Sequence, residues 1–217
     1  MNSSIVQNTI QDSMDPTSAI LLVEHERLAS LYEHNVTMGD HFVATYLTAV
    51  SLAVALVRGI REFMPPSDNL ILFELTMLII IVVVGMTTYR RLIERRVRSI
   101  EYLRAINRIH RYFLDKDPTV RPYFYWPACD DCPTMDARGT MLGGLKDIVA
   151  GLNGLFTGLA FLAVTRTLFP ALPSVALLLT GLVAGVIILL IQHQFGEKAL
   201  QRAGEEADRK ILFPQLQ

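Results

Sequence analysis

Apolar residues along this chain gather into four unbroken blocks, at 42–57, 70–89, 148–169 and 173–191. None of the blocks carries the polar face that a helix resting on a water-soluble core would show. The second contains the run Leu78-Ile79-Ile80-Ile81-Val82-Val83-Val84. A bilayer core about 30 Å thick takes roughly 20 helical residues, so each block predicts a transmembrane helix. The first is the shortest, with 16 residues between His41 and Arg58, and reaches Ile60 if Arg58 snorkels. Continuous runs, in place of alternating ten-residue segments, argue against a β-barrel.

The polar stretches have patterns of their own. Leu21, Leu28, Tyr32 and Val36 recur at helical spacing among Glu24, Glu26 and Glu33, which predicts a helix over 18–38 just before the first span. After Gly85 no breaker interrupts the chain, so the second span is expected to continue into the cytoplasm as one long basic helix to Phe113. Its seam is Tyr89, Ile93, Val97, Ile100, Leu103, Ile106 and Ile109, with Glu94 and Arg98 placed for an i,i+4 pair. Asp115-Lys116-Asp117-Pro118 ends it. Pro118, Pro122, Pro127 and Pro133 forbid a long helix over 119–140. The cluster Tyr123-Phe124-Tyr125-Trp126 in that loop favours the headgroup region of a membrane.

The fold class is therefore an all-α integral membrane protein. Four transmembrane helices form two antiparallel hairpins with cytoplasmic helical extensions. The segments are an N-terminal tail and amphipathic helix at 1–40, a first hairpin at 41–89, a basic helix and Pro/aromatic loop at 90–146, a second hairpin at 147–192 and a C-terminal tail at 193–217.

Composition agrees and adds an orientation. The chain has 217 residues, 51% of them hydrophobic, and a mean hydropathy of +0.34, values that exclude a disordered chain. Of its 20 Lys and Arg, 12 fall between Arg90 and Lys146, and 17 in all lie in that segment and the two tails. Only Arg58, Arg61 and Arg166 lie on the other side, which places both termini and the central loop in the cytoplasm of a cell membrane. The polar first forty residues leave no cleavable signal, so the first span is expected to act as an uncleaved anchor. The arginines Arg90, Arg91, Arg95, Arg96, Arg98, Arg104, Arg108 and Arg111 either set topology against an anionic cytoplasmic leaflet or dock a soluble cytoplasmic protein. With charge balanced over the whole chain, no nucleic-acid partner is expected.

Candidate chemistry is sparse. Cys129 and Cys132, the only cysteines, form a CxxC that can hold one side of a zinc site or act as a redox pair. His110 or a second subunit would have to complete a zinc site, and no β-α-β context supports a thioredoxin-like role. Arg58 and Glu74 lie at similar depth in the first two spans and are expected to form an ion pair, or else a charged ring at a pore mouth. Gly154 with Gly158 and Gly181 with Gly185 form two GxxxG strips, expected to pack the last two spans closely. Ala44, Thr48, Ser51 and Ala55 give the first span a similar seam, expected to face another helix or to line water. Asn153 is expected to hydrogen-bond across helices. No metalloprotease, nucleotide-binding or nucleophile-elbow motif occurs, and the spans offer no paired acids or activated nucleophile.

The reading is thus a non-enzymatic, multi-pass homo-oligomer, pore- or channel-forming and gated by its cytoplasmic helices. A membrane-anchored adaptor for a soluble partner is the second reading, and a metal or redox sensor through the CxxC the third. The charge count predicts four crossings with both ends inside. Single cysteines at positions 68 and 173 should react with an impermeant thiol reagent from outside intact cells. Positions 7, 130 and 217 should react only after permeabilisation, and external labelling at position 130 would overturn this topology.

Overall fold

The structure is a computed structural model that describes residues 15–63, 68–123, 128–129, 131–135 and 144–212. Four long helices make up nearly all of it: α1 (Pro16–Phe63), α2 (Asp68–Lys116), α3 (Leu145–Leu168) and α4 (Ser174–Asp208). A short 3₁₀ helix, Pro118–Tyr123, follows α2, and no strand occurs among the described residues. All four helices contain a stretch long and apolar enough to cross a membrane.

The helices run further than the apolar blocks. The pattern over 18–38 and the first block are one 48-residue helix, because nothing between Pro16 and Phe63 breaks it and Gly39 and Gly59 are tolerated within it. α2 extends through the basic segment to Lys116, where Asp117 and Pro118 stop it. The Asp117 carboxylate accepts from the Thr119 amide (3.0 Å) and hydroxyl (2.6 Å) and closes the turn. The tail over 193–217, for which the pattern predicted no element, is helical to Asp208. Its buried face is Gln192, Gly196, Leu200 and Gly204, an i,i+4 ladder written in small and amide residues that an apolar template does not register. The outer turn at 64–67 and the aromatics Phe124, Tyr125 and Trp126 lie outside the described residues.

The described residues divide into two compact units. The apolar unit takes 37–97 and 136–203. Its core is Val43, Tyr46, Ile81, Tyr89, Ile93, Val149, Ala150, Phe156 and Leu200. α3 is its hub, with 39% of its most apolar window buried against 6% for α4. Asp147 starts α3 by accepting from the Gly144 amide at 3.1 Å, in the manner of a capping box. The polar unit takes 1–36, 98–135 and 204–217. Ile100, Ile106 and Ile109 are buried in it, as the seam of α2 predicts, and so are Ser18, Asn35, Arg104 and Asn107.

α3 and α4 meet backbone to backbone. A Cβ placed on Gly158 would lie 2.7 Å from the Gly181 carbonyl oxygen, and one on Gly185 would lie 2.6 Å from that of Gly154. The pairs 154 with 185 and 158 with 181 run in opposite sense, so the two helices are antiparallel at this contact. No real Cβ fits there. Gly158→Leu or Gly185→Leu must therefore push two helix backbones apart, and each should destabilise the monomer by roughly 1–3 kcal/mol. Denaturant titration in detergent measures that loss. Cysteines in place of Leu162 and Leu178, which flank the strips on one groove, with Cys129 and Cys132 replaced by serine, should crosslink within one chain; a product found only between chains would show that the strips join subunits.

Candidate functional sites

Two polar clusters interrupt the apolar unit. Asn153 is fully buried on α3 and accepts from the Tyr46 hydroxyl of α1 at 2.9 Å. It lies against Gly85 of α2, where an added Cβ would sit 1.7 Å from its Oδ1. One amide thus meets the Tyr46 hydroxyl of α1 and the backbone of α2 at Gly85, and glycine is required at position 85 to leave room for it. The Asn153 Nδ2 has no hydrogen-bond partner among the described residues. In the second cluster the Tyr89 hydroxyl donates to the Gln192 carbonyl at 2.9 Å, and the Gln192 amide nitrogen lies against the Met86 sulfur. Gly196 leaves room for that tyrosine, since a Cβ there would meet its hydroxyl at 2.5 Å. The cross-helix bond expected of Asn153 is present; its partner tyrosine and the two glycines carried no sequence signal beyond being lone residues of their kind in apolar runs.

The ion pair of the first two helices differs from expectation. Glu74 is bound by Arg61, which donates through Nε to Oε1 and through Nη2 to Oε2 at 2.7 Å. Arg58 instead lies 4.0 Å from Glu62 on its own helix, with its side chain 84% exposed. Depth counting found the right rung but the neighbouring arginine. Arg58 lies about 60° around α1 from Arg61 and lines the same cleft as Arg61 and Glu74, but the carboxylate of Glu74 is bound by Arg61. Likewise Glu94 pairs with Arg90, four residues before it, at 2.9 Å.

The small seam of α1 does not pack inside the chain. Ala44, Thr48, Ser51 and Ala55 are all exposed, and the Thr48 and Ser51 hydroxyls donate only to their own helix, to the Ala44 and Leu47 carbonyls at 2.9 Å each. The turns before and after continue the stripe: Thr37, His41, Arg58 and Glu62 fall on the same side of the helix and are exposed as well. The core face of α1 is formed by Val43, Tyr46, Val50 and Ala53.

In the polar unit the basic helix is largely committed. Arg104 is 5% exposed. It donates to the Pro133 carbonyl (3.2 Å), the Asp131 carbonyl (3.4 Å) and the Asp208 carboxylate (3.1 Å). Arg108 donates to the Lys210 carbonyl at 2.7 Å, and Arg111 pairs with Asp115. Within the apolar unit Arg91 and Arg95 stack over the Phe42 ring, at 5.1 and 4.7 Å from its centre. Burial of Arg104 corrects its reading as a free surface charge: the loop after the 3₁₀ helix supplies the carbonyls that replace its water.

That loop carries the CxxC. Cys129 is buried, and burial together with Cys132 and Asp131 pushes its thiol up to about 12. Asn107 Nδ2 donates to the carbonyls of Cys129 (3.1 Å) and Cys132 (2.8 Å). His110, considered as a further ligand, is placed elsewhere: its Nε2 lies 3.1 Å from Nε2 of His25 on α1. Lys116 binds Asp15 (3.1 Å) and Ser18 (2.8 Å) further along, and Asn35 donates to Ser99 at 2.7 Å. A line of polar contacts thus joins the N-terminal part of α1 to the C-terminal part of α2.

Comparison of the chain with family models, curated proteins and solved structures finds no significant match.

The histidine pair predicts a pH dependence. Burial, then the neighbouring His25, lowers the pKa of His110 below its ordinary 6.5. Between the folded and unfolded values the unfolded state binds more protons, so stability rises with pH across that window. The contribution is complete above pH 6.5 and is lost as pH falls through the lower, folded value. Amide protection over 16–36 and 98–116, taken relative to the intrinsic exchange rate at each pH, should therefore be weaker at about pH 5.5 than at about pH 7.5. His110→Asn should remove the difference; an unchanged pH response in that variant would clear the pair of this role.

Proposed function

We propose that this chain is a non-enzymatic, multi-pass membrane protein whose two antiparallel transmembrane hairpins associate with those of further copies, with the exposed stripe of α1 facing a shared axis and lining a water-filled path. The contrast between two outward faces carries the reading. α4 turns Val175, Leu178, Leu179, Leu182, Val183 and Ile187 outward, an apolar surface suited to lipid chains. α1 turns outward Thr48 and Ser51, with Arg58 and Glu62 about two and three turns beyond Ser51. Hydroxyls that bond to their own backbone are tolerated against lipid, and the two charged groups continue the same stripe at the outer end of the span, where a pore mouth would stand. Water at the centre of an assembly, flanked by small residues that let helices approach, accommodates both.

The adaptor reading rests on the eight arginines of α2. Arg104 is buried among loop carbonyls, whereas Arg90, although paired with Glu94, keeps 71% of its side chain exposed, and Arg98 is exposed as well; reagent access and conductance separate the two readings.

In a background with Cys129 and Cys132 changed to serine, Thr48→Cys and Ser51→Cys should crosslink between copies. Both should also react in liposomes with a small charged thiol reagent, while Leu182→Cys on α4 should not. In planar bilayers, Glu62→Lys should shift ion selectivity toward anions. A monomer in mild detergent, together with unreactive cysteines at 48 and 51, would sink the proposal. Crosslinking without reagent access or conductance would favour a closed assembly acting as a scaffold.

A further inference from the structure

The loop over 128–135 brings three potential ligands together without help from any other element. The sulfur atoms of Cys129 and Cys132 and a carboxylate oxygen of Asp131 all lie within 4.8 Å of one another. Around a tetrahedral zinc ion, thiolates sit at about 2.3 Å and a carboxylate oxygen at about 2.0–2.2 Å, which separates the ligand atoms by roughly 3.4–3.8 Å. The observed spacing of up to 4.8 Å exceeds that by about an ångström, a difference of the size that side-chain rotation covers.

The backbone is already fixed. Asn107 and Arg104, one turn apart on α2 and each 5% exposed, hold the carbonyls of Cys129, Cys132, Asp131 and Pro133. The three ligand-bearing residues Cys129, Asp131 and Cys132, whose carbonyls are held by two buried polar side chains, pay little ordering entropy when an ion arrives, and such preorganisation raises affinity. Two thiolates and a carboxylate around a divalent ion leave one net negative charge, close to the Arg104 guanidinium that bonds the same loop and is shared with the Asp208 carboxylate. Two sulfur donors select against magnesium and calcium, which take oxygen.

We propose that Cys129, Asp131 and Cys132 form a binding site for a thiophilic divalent cation, zinc first, with the fourth position open to water. Loading breaks the two S–H bonds, forms two metal–sulfur bonds and one metal–oxygen bond, and sends both thiol protons to the buffer. No oxidant or reductant takes part. The site lies in the polar unit and is independent of whether the spans form a pore.

The test uses the full-length protein in mild detergent, reduced, stripped with a chelator and titrated with Co²⁺ and then Zn²⁺. One Co²⁺ per chain should bind with a sulfur-to-cobalt charge-transfer band, which Zn²⁺ abolishes, and roughly two protons should appear per ion. Cys129→Ser and Cys132→Ser should each lose most of the band. Asp131→Asn should keep it and bind about tenfold more weakly or worse. Size-exclusion profiles and helix content report whether the serine variants fold. Should they not, zinc protection of both native thiols from alkylation in the unaltered protein gives the same answer. Absence of the band in fully reduced protein, its survival in the double serine variant, or alkylation as fast with zinc as without would overturn the site. An Asp131→Asn variant as tight as the parent would remove the carboxylate from it.

Discussion

The contact between the backbones of α3 and α4 sets the dimensions of the apolar unit. With Gly158 against Gly181 and Gly154 against Gly185, each glycine Cα faces a carbonyl and not a side chain. Between apolar helices in a lipid-like surrounding no hydrophobic force draws the pair together, so close van der Waals contact has to supply the attraction. The consequence falls on the opposite side of α3. With α4 so near, α3 buries Val149, Ala150, Asn153 and Phe156 among the remaining helices, and the amide of Asn153 fits there only because residue 85 is glycine. A larger residue at 85, or a separated α3 and α4, would each strand a buried amide that now accepts from Tyr46, at a cost of about 1–3 kcal/mol. The glycines and the amide are one device.

The polar unit is held on another principle. Beside the isoleucines of α2 and the buried Met135 and Cys129, many of its contacts are hydrogen bonds and ion pairs: Lys116 with Asp15, His25 with His110, Asn35 with Ser99, Arg104 and Asn107 with the cysteine loop. Exposed pairs of the Lys116–Asp15 kind contribute little. Arg104 and Asn107 differ because they are buried, where each donor left unmet would carry its full desolvation penalty. Their geometry therefore fixes one loop conformation more than it adds net stability. That is the property a ligand cluster such as Cys129, Asp131 and Cys132 depends on.

The number of apolar helices and the continuity of α2 into its basic half were legible, because length, hydropathy and the absence of breakers are local properties. So was the glycine pairing, since two GxxxG strips on either side of a short turn fall at matching depth. The facing of α1 was not. In a soluble helix the core side is apolar and the water side polar, and the period reveals which is which; here both Val50 on the core face and Leu52 on the outer face are apolar. The same loss of contrast hid Tyr46 and Gly85, and it let Arg58 stand in for Arg61. Arg104 and Asn107 were illegible for a different reason. Their burial is made by carbonyls of residues more than twenty positions away, in a proline-containing loop with no periodic signal.

The outward faces of α1 and α4 then follow from a single constraint on surfaces. α3 can be surrounded on only so many sides, and its narrowest contacts are given to α4 by glycine and to α1 and α2 through Asn153 and its neighbours. Each remaining helix must leave the rest of its circumference to whatever surrounds the chain. On α4 that remainder is nearly all branched aliphatic side chains, consistent with a solvent of hydrocarbon. On α1 it includes a line from Thr37 through Thr48 and Ser51 to Glu62, exposed throughout. One molecule offering two such unlike surfaces along its apolar helices is suited to two environments at once, hydrocarbon on one side and a polar or protein surface on the other. In the assembly we propose, further copies supply that second environment, since identical stripes brought to a common axis screen one another's polar groups from lipid without requiring any partner of different sequence.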